Sequence, residues 1–300
     1  MESTLDGTVV EAGITVRPLT SRIGAEVAGA RLSESLGDAT VAAIRRAALA
    51  HKVIFFRDQA DLDEGAHVAF AGRFGQVPLG HPVLKSHERQ PMIMRLDSDD
   101  FGRADHWHTD STFSLRPPSF SILRAVQLPE LGGDTMWADT QSAYTRLPPP
   151  LRALAEQLRV VHTNAYDYGR SLRAEERDDT RMNRDRLMAA VLEAEHPMVR
   201  VHEETGRRSL LLGGFAQHVS GLSSSVAADL LRIFQSYVLR PEHLVRWRWR
   251  PGDVAMWDNR STQHYAVNDY GEARRRMERV IVAGEVPVGV DGSRSRSLRG

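Results

Sequence analysis

Leu244-Val245-Arg246-Trp247-Arg248-Trp249-Arg250 alternates apolar side chains with arginines and stops at Pro251-Gly252-Asp253. Successive residues of a strand point to opposite faces, so Val245, Trp247 and Trp249 mark a core face, and the arginines face solvent or a charged cavity. Just upstream, residues 224–239 carry Leu230, Leu231, Phe234, Tyr237 and Val238 on one side of a helix long enough to pack across a sheet. Toward the N-terminus, strand-like pieces recur between turn signals at 209–212, 198–202, 160–162, 135–138, 119–128 and 92–96, and Val53-Ile54-Phe55-Phe56 is a buried strand. One helix ahead of it, capped by Asp38, turns Val41, Ile44, Ala48 and Leu49 inward, and another over 63–73 buries Ala66 and Phe70. Many short strands with a few covering helices predict a mainly β, α+β chain built on a double-sheet jelly roll, the double-stranded β-helix.

The 300 residues can bury a full core, and with no cysteine the chain needs neither disulfides nor a zinc-thiolate site. Lys+Arg 39 balances Asp+Glu 39, which argues against nucleic acid or an anionic membrane as a partner held by bulk charge. The first residues lack a basic and apolar leader pattern, and no apolar run approaches a membrane span, so a cytoplasmic setting is expected. Residues 14–288 are expected to form one domain. The ends, 1–13 and 289–300, lack periodicity and apolar content and are expected to be disordered. The stretch 164–186, rich in Asp, Glu and Arg, is expected to be an inserted lid loop.

The chemistry is carried by Trp107-His108-Thr109-Asp110. In an extended backbone His108 and Asp110 point to one face, an imidazole beside a carboxylate. With 12 histidines and 21 aspartates about 0.8 such pairs arise by chance, so the motif alone decides little. Its surroundings add weight. His264, in Trp257-Asp258-Asn259-Arg260-Ser261-Thr262-Gln263-His264, is a candidate third ligand, and two imidazoles with one carboxylate leave the opposite metal positions open, as in non-heme Fe(II) oxygenases. Beyond it, Arg275 and Arg279 share a strand face with Met277, and an inward guanidinium fork near a metal clamps a carboxylate.

Together these segments resemble the Fe(II)/2-oxoglutarate-dependent dioxygenases of the taurine dioxygenase and 2,4-dichlorophenoxyacetate dioxygenase family. The matching motifs are Trp107 to Asp110, Gly132-Gly133-Asp134-Thr135, Trp257 to His264, and Arg275 with Arg279; flanking matches run from Val16 to about Val286. The resemblance implies a jelly-roll core, with His108, Asp110 and His264 as iron ligands. It further implies Thr135 and Arg275 on the distal carboxylate of 2-oxoglutarate, with O2 as oxidant and succinate and CO2 as products. Homo-oligomers, dimeric or tetrameric, are implied on the same ground.

On the substrate side, His81 and Arg279 match the family's anion-facing histidine and arginine, favouring a small anionic substrate such as an alkyl sulfate or sulfonate. Tyr168 and Phe215 match aromatic pocket positions. Ala104 or a neighbour stands where the taurine enzyme has a polar sulfonate contact, which weakens taurine itself. Further matches, such as His162-Thr163-Asn164 and Val199-Arg200-Val201-His202, resemble the alkyl sulfatase branch. Alternatives stay open: a biosynthetic hydroxylase of this fold, or a metal-binding jelly roll or hydrolase without 2-oxoglutarate turnover. His106 shares a face with His108 and competes with Asp110 as ligand, while His202-Glu203-Glu204 is expected to be a solvated turn.

Overall fold

The computed structural model describes residues 2–3, 7–79, 90–99, 104–165 and 191–299. A nine-stranded sheet runs in the order Glu2–Ser3, Val9–Glu11, Ile14–Pro18, Ala25–Ala28, Val53–Phe56, Val254–Asp258, Phe120–Gln127, Arg276–Val282 and Met94–Asp97. Neighbours are antiparallel except Ala25–Ala28 against Val53–Phe56. Strand alternation separates two cores. Ile54, Phe56, Val254, Met256 and Ile122 face one side, where the helices Asp38–His51 and Glu64–Gly72 cover them. Val53, Phe55, Ala255 and Trp257 face the other side.

That second face packs on a three-stranded sheet of Leu244–Trp247, Thr135–Asp139 and Thr262–Ala266. Phe55 stacks on Trp247 with centroids 4.1 Å apart, and Trp137 meets Trp257 edge-on at 5.7 Å. The opening stretch keeps its alternation: Val245, Trp247 and Trp249 are buried and the three arginines exposed, although ladder pairing ends at Trp247. Farther out, a four-stranded sheet, a second three-stranded sheet and the helix Ser224–Val238 enclose a third apolar cluster around Phe234, Leu210 and Met198. The result is a sheet-rich, mixed architecture with few helices.

Two expectations about the ends are corrected. Val9–Glu11 pairs with Ile14–Pro18, and Arg296–Arg299 pairs antiparallel with Glu193–Pro197. Apolar content misjudged the tail because backbone bonds and ion pairs hold it: Arg296 Nε lies 2.8 Å from Glu195, and Arg159 donates to Ser293 and the Arg294 carbonyl. The lid stretch lies outside the described residues beyond Ala165. Among the described residues no helix is long and apolar enough to cross a membrane.

Candidate active site

His108 and His264 face each other across an isolated antiparallel bridge, His108 N to His264 O at 3.0 Å and His264 N to His108 O at 2.8 Å. Such a doubly bonded pair sends both side chains to one face, and the ring centroids are 4.1 Å apart. Asp110 begins a turn rather than continuing a strand, with Ser111 at φ 51. The Asn259 side chain holds it there. Its Oδ1 accepts from Asp110 N at 2.9 Å, while its Nδ2 donates to Asp110 O and Pro118 O, each at 3.1 Å.

Asp110 Oδ1 is thereby 3.8 Å from Nε2 of both histidines, and one ligand atom from each of the three residues lies within 4.8 Å of the others. Among the described residues this is the one such His/Asp/Glu cluster. His108 Nδ1 bonds the His106 carbonyl at 2.8 Å, which aims Nε2 into the cluster. His106 stays outside the triad, although its ring lies beside that of His108. Burial drives the His108 imidazole well below its ordinary range, helped by His264, and burial with Arg279 nearby pushes His264 down to about 4. Burial alone would raise Asp110, but Arg279, His264 and His108 hold it below the usual carboxylate range. Two neutral imidazole lone pairs and an ionised carboxylate converge, a donor set suited to a divalent cation. Ser121 Oγ donates to Asp110 Oδ2 at 2.7 Å, and the Arg279 guanidinium hydrogen-bonds Asp110 Oδ1 and faces Met94.

Thr135 and His264 project from the same face of the small sheet, because Thr135 pairs with Ala266 and Trp137 with His264. Diagonal neighbours of this kind lie roughly 7–8 Å apart. Gly132 and Gly133, at φ 77 and 70, open the approach: a Cβ on Gly133 would meet Arg275 Cδ at 3.1 Å. Asp269 accepts from Gly133 N at 2.8 Å and fixes the turn. Arg275 precedes the strand Arg276–Val282, donating from Nε to Gly133 O at 2.9 Å and from Nη2 to Thr135 Oγ1 at 3.2 Å. It is 8% exposed, yet forms no salt bridge with any described carboxylate, and burial lowers its affinity for its proton. The contrast is Arg260, equally buried but paired with Asp258, Glu203 and Glu204. A buried cation without a counter-charge is costly unless an anion joins it.

Phe215 lies beside the triad, its ring edge-on to His108 at 5.8 Å and to Phe113 at 5.0 Å. His81 and Tyr168 lie outside the described residues. The expectation of a solvated His202 is corrected: it is buried, with Nε2 2.7 Å from Asp258, though the turn supplies no metal cluster. Ser121, Trp249 and the clamp by Asn259 were missed as functional features. Asn259 stood in a quoted motif, whereas Ser121 and Trp249 read as ordinary strand residues.

The family model for the taurine catabolism dioxygenase TauD, TfdA family matches residues 15–281. The chain belongs to this family. Relatives within reach include an alpha-ketoglutarate-dependent sulfate ester dioxygenase of Pseudomonas putida, 48% identical over 95% of both chains. An alkylsulfatase of Acinetobacter baylyi is 46% identical over 95% of this chain and 89% of its own. Among solved structures, a taurine dioxygenase from Burkholderia xenovorans superposes with a TM-score of 0.80 at 38% identity, covering 96% of this chain and 95% of that one. AAD-2 in complex with Mn(II) and N-oxalylglycine gives 0.75 at 29% identity, covering 91% and 98%. The family member described here is an Fe(II)- and 2-oxoglutarate-dependent dioxygenase.

Proposed function

We propose that the protein oxidatively cleaves an alkyl sulfate ester, with iron held by His108, Asp110 and His264 and 2-oxoglutarate anchored at its distal carboxylate by Arg275 and Thr135. The observation that carries the co-substrate assignment is the buried Arg275 guanidinium, without a salt bridge to any described carboxylate, beside a hydroxyl on the sheet face of His264. A dicarboxylate whose keto-acid end reaches the metal supplies the missing counter-charge. The two sheets that enclose the site are read as the jelly roll of this family.

When bound, iron with 2-oxoglutarate supplies the oxidising power to hydroxylate a C–H bond, coupled to formation of succinate and CO2. The chain's residues do the positioning. Ser121 holds Asp110 Oδ2, and Oδ1, which faces both histidines and hydrogen-bonds Arg279, is the oxygen assigned to the metal. Phe215 and Phe113 close one side against water, which suits the alkyl part of a substrate. We assign Arg279, which hydrogen-bonds Asp110 Oδ1, together with His81 to the sulfate anion, and Tyr168 to the aromatic lining. Hydroxylation of the carbon that bears the sulfate oxygen gives an unstable product, which collapses to an aldehyde and releases sulfate. Support for this substrate class comes from the names of the two relatives above. The cytoplasm and a homo-oligomer remain part of the proposal.

The test is an anaerobic titration of Fe(II) and 2-oxoglutarate, followed by oxygen and a panel of alkyl sulfates, alkyl sulfonates and taurine. Sulfate release from alkyl sulfates in step with succinate is expected, with succinate formed faster on them than on taurine, whose carbon–sulfur bond would yield sulfite instead. Succinate without sulfate release would replace ester cleavage with simple hydroxylation.

A further inference from the structure

We propose that Trp249 sets the polarity of the co-substrate pocket: its indole N–H fixes the Thr135 hydroxyl as a donor, so the pocket's far end admits only a terminal group that accepts hydrogen bonds. The inference rests on the 2-oxoglutarate assignment above and adds a positioning residue to it.

A threonine hydroxyl has one proton to give and two lone pairs to receive. Thr135 Oγ1 receives from Trp249 Nε1 at 2.9 Å and from Arg275 Nη2 at 3.2 Å. Both lone pairs are taken. The hydroxyl proton has no acceptor among the described residues, and with Thr135 2% exposed and Trp249 7% exposed, bulk water is excluded as a steady partner. Arg275 spends Nε on the Gly133 carbonyl and one Nη2 hydrogen on Thr135, leaving the Nη1 edge to a ligand. Everything offered there is a donor.

A carboxylate satisfies such an end completely. A carboxamide or an alcohol brings a donor of its own, which meets donors and is left buried without a partner, at a cost that separates closely similar acids. Without the indole N–H, the hydroxyl gains a free lone pair and can turn to accept from the ligand. Trp249 therefore excludes the wrong terminal group through Thr135, without touching the ligand itself. Its ring also fills core space near Trp137, with centroids 6.4 Å apart, so a test has to separate polarity from packing.

The experiment measures anaerobic dissociation constants of the Fe(II)-loaded full chain for 2-oxoglutarate and for 2-oxoglutaramate, its distal amide, by the visible absorption of the chelate. In wild type the amide binds at least tenfold more weakly. Trp249→Phe keeps most of the ring and loses the donor. It is expected to weaken 2-oxoglutarate three- to tenfold, to narrow the discrimination against the amide, and to leave iron affinity unchanged. In a Thr135→Val background the same change adds no further loss. Trp249→His, which restores a ring N–H, recovers part of the discrimination and keeps the idea testable if the phenylalanine variant folds poorly. Unchanged discrimination in Trp249→Phe, or an equal loss in the Thr135→Val background, overturns the proposal. A wild-type protein that binds no 2-oxoglutarate overturns the parent assignment instead.

Discussion

Asn259 does for Asp110 what a neighbouring strand does elsewhere, pairing a carboxamide with both backbone groups of one residue. Asn259→Ala leaves those groups buried without partners, so urea unfolding is expected to show a loss of about 2–3 kcal/mol. Iron titration of the same variant is expected to weaken roughly 10–100-fold, the usual effect of removing a ligand's outer partner. Arg275→Met has the opposite signature: iron affinity near wild type with the 2-oxoglutarate chelate band lost at ordinary co-substrate concentrations. A variant that bound 2-oxoglutarate normally would place the carboxylate elsewhere. At this scale the sequence was informative where chemistry and spacing coincide, as for His108, Asp110 and His264, which the fold brings together. It misled at His202, because a polar turn composition says nothing about one ring folding inward onto Asp258. The Thr135 environment was half legible: the hydroxyl and the guanidinium stood in the motifs, but Trp249 showed only a core face, since a donor's target depends on the partner sheet.

Among elements, the longer helices were legible, whereas the short ones Thr140–Thr145 and Pro149–Ala155 went unread. The stretches expected at 63–73 and 224–239 form Glu64–Gly72 and Ser224–Val238, with Asp63 as the side-chain cap of the first, accepting from Ala66 N. Most of the expected strands recur within a residue or two of their places, though the one expected at 244–250 ends at Trp247, because the period of two survives at strand centres and is lost at their ends. The C-terminal strand was invisible to that criterion, having four exposed residues. It nonetheless leads to the site. Ser295 Oγ lies 2.7 Å from His196 Nδ1, and His196 Nε2 lies 2.6 Å from the Thr112 carbonyl, two residues past Asp110. Deleting 293–300 removes this contact and the Arg296–Glu195 ion pair, and is expected to cost about 2 kcal/mol and lower Tm on the order of 4 °C. Calorimetry of the truncated chain checks it, and an unchanged Tm would show the strand to be ornamental.

For the whole molecule, the buried histidines away from the triad set the response to acid. Burial, with Arg124 nearby, pushes His67 down to about 3, and burial pushes His196 down to about 4 despite its bond to Thr112. Both are neutral when folded and bind protons near pH 6.5 when unfolded, so the unfolded state holds more protons below that value. Stability is therefore fully present above about pH 6.5 and lost as pH falls toward 4, each residue adding a slope of about 1.4 kcal/mol per pH unit. Urea midpoints at pH 7, 6 and 5 are expected to fall accordingly, and His67→Asn is expected to flatten the fall. A profile flat to pH 5 would contradict the burial of these rings.

The bridge between His108 and His264 also bears on synthesis. The two histidines come from segments 156 residues apart, and the proposed co-substrate clamp waits for Arg275. On the reading proposed above, a polypeptide still emerging from the ribosome, or cut short before residue 264, carries only two of the three iron donors and lacks the guanidinium that anchors 2-oxoglutarate. Incomplete chains are thus unable to assemble the oxidising centre, and the cell is spared an iron site that could activate oxygen with nothing in place to direct it.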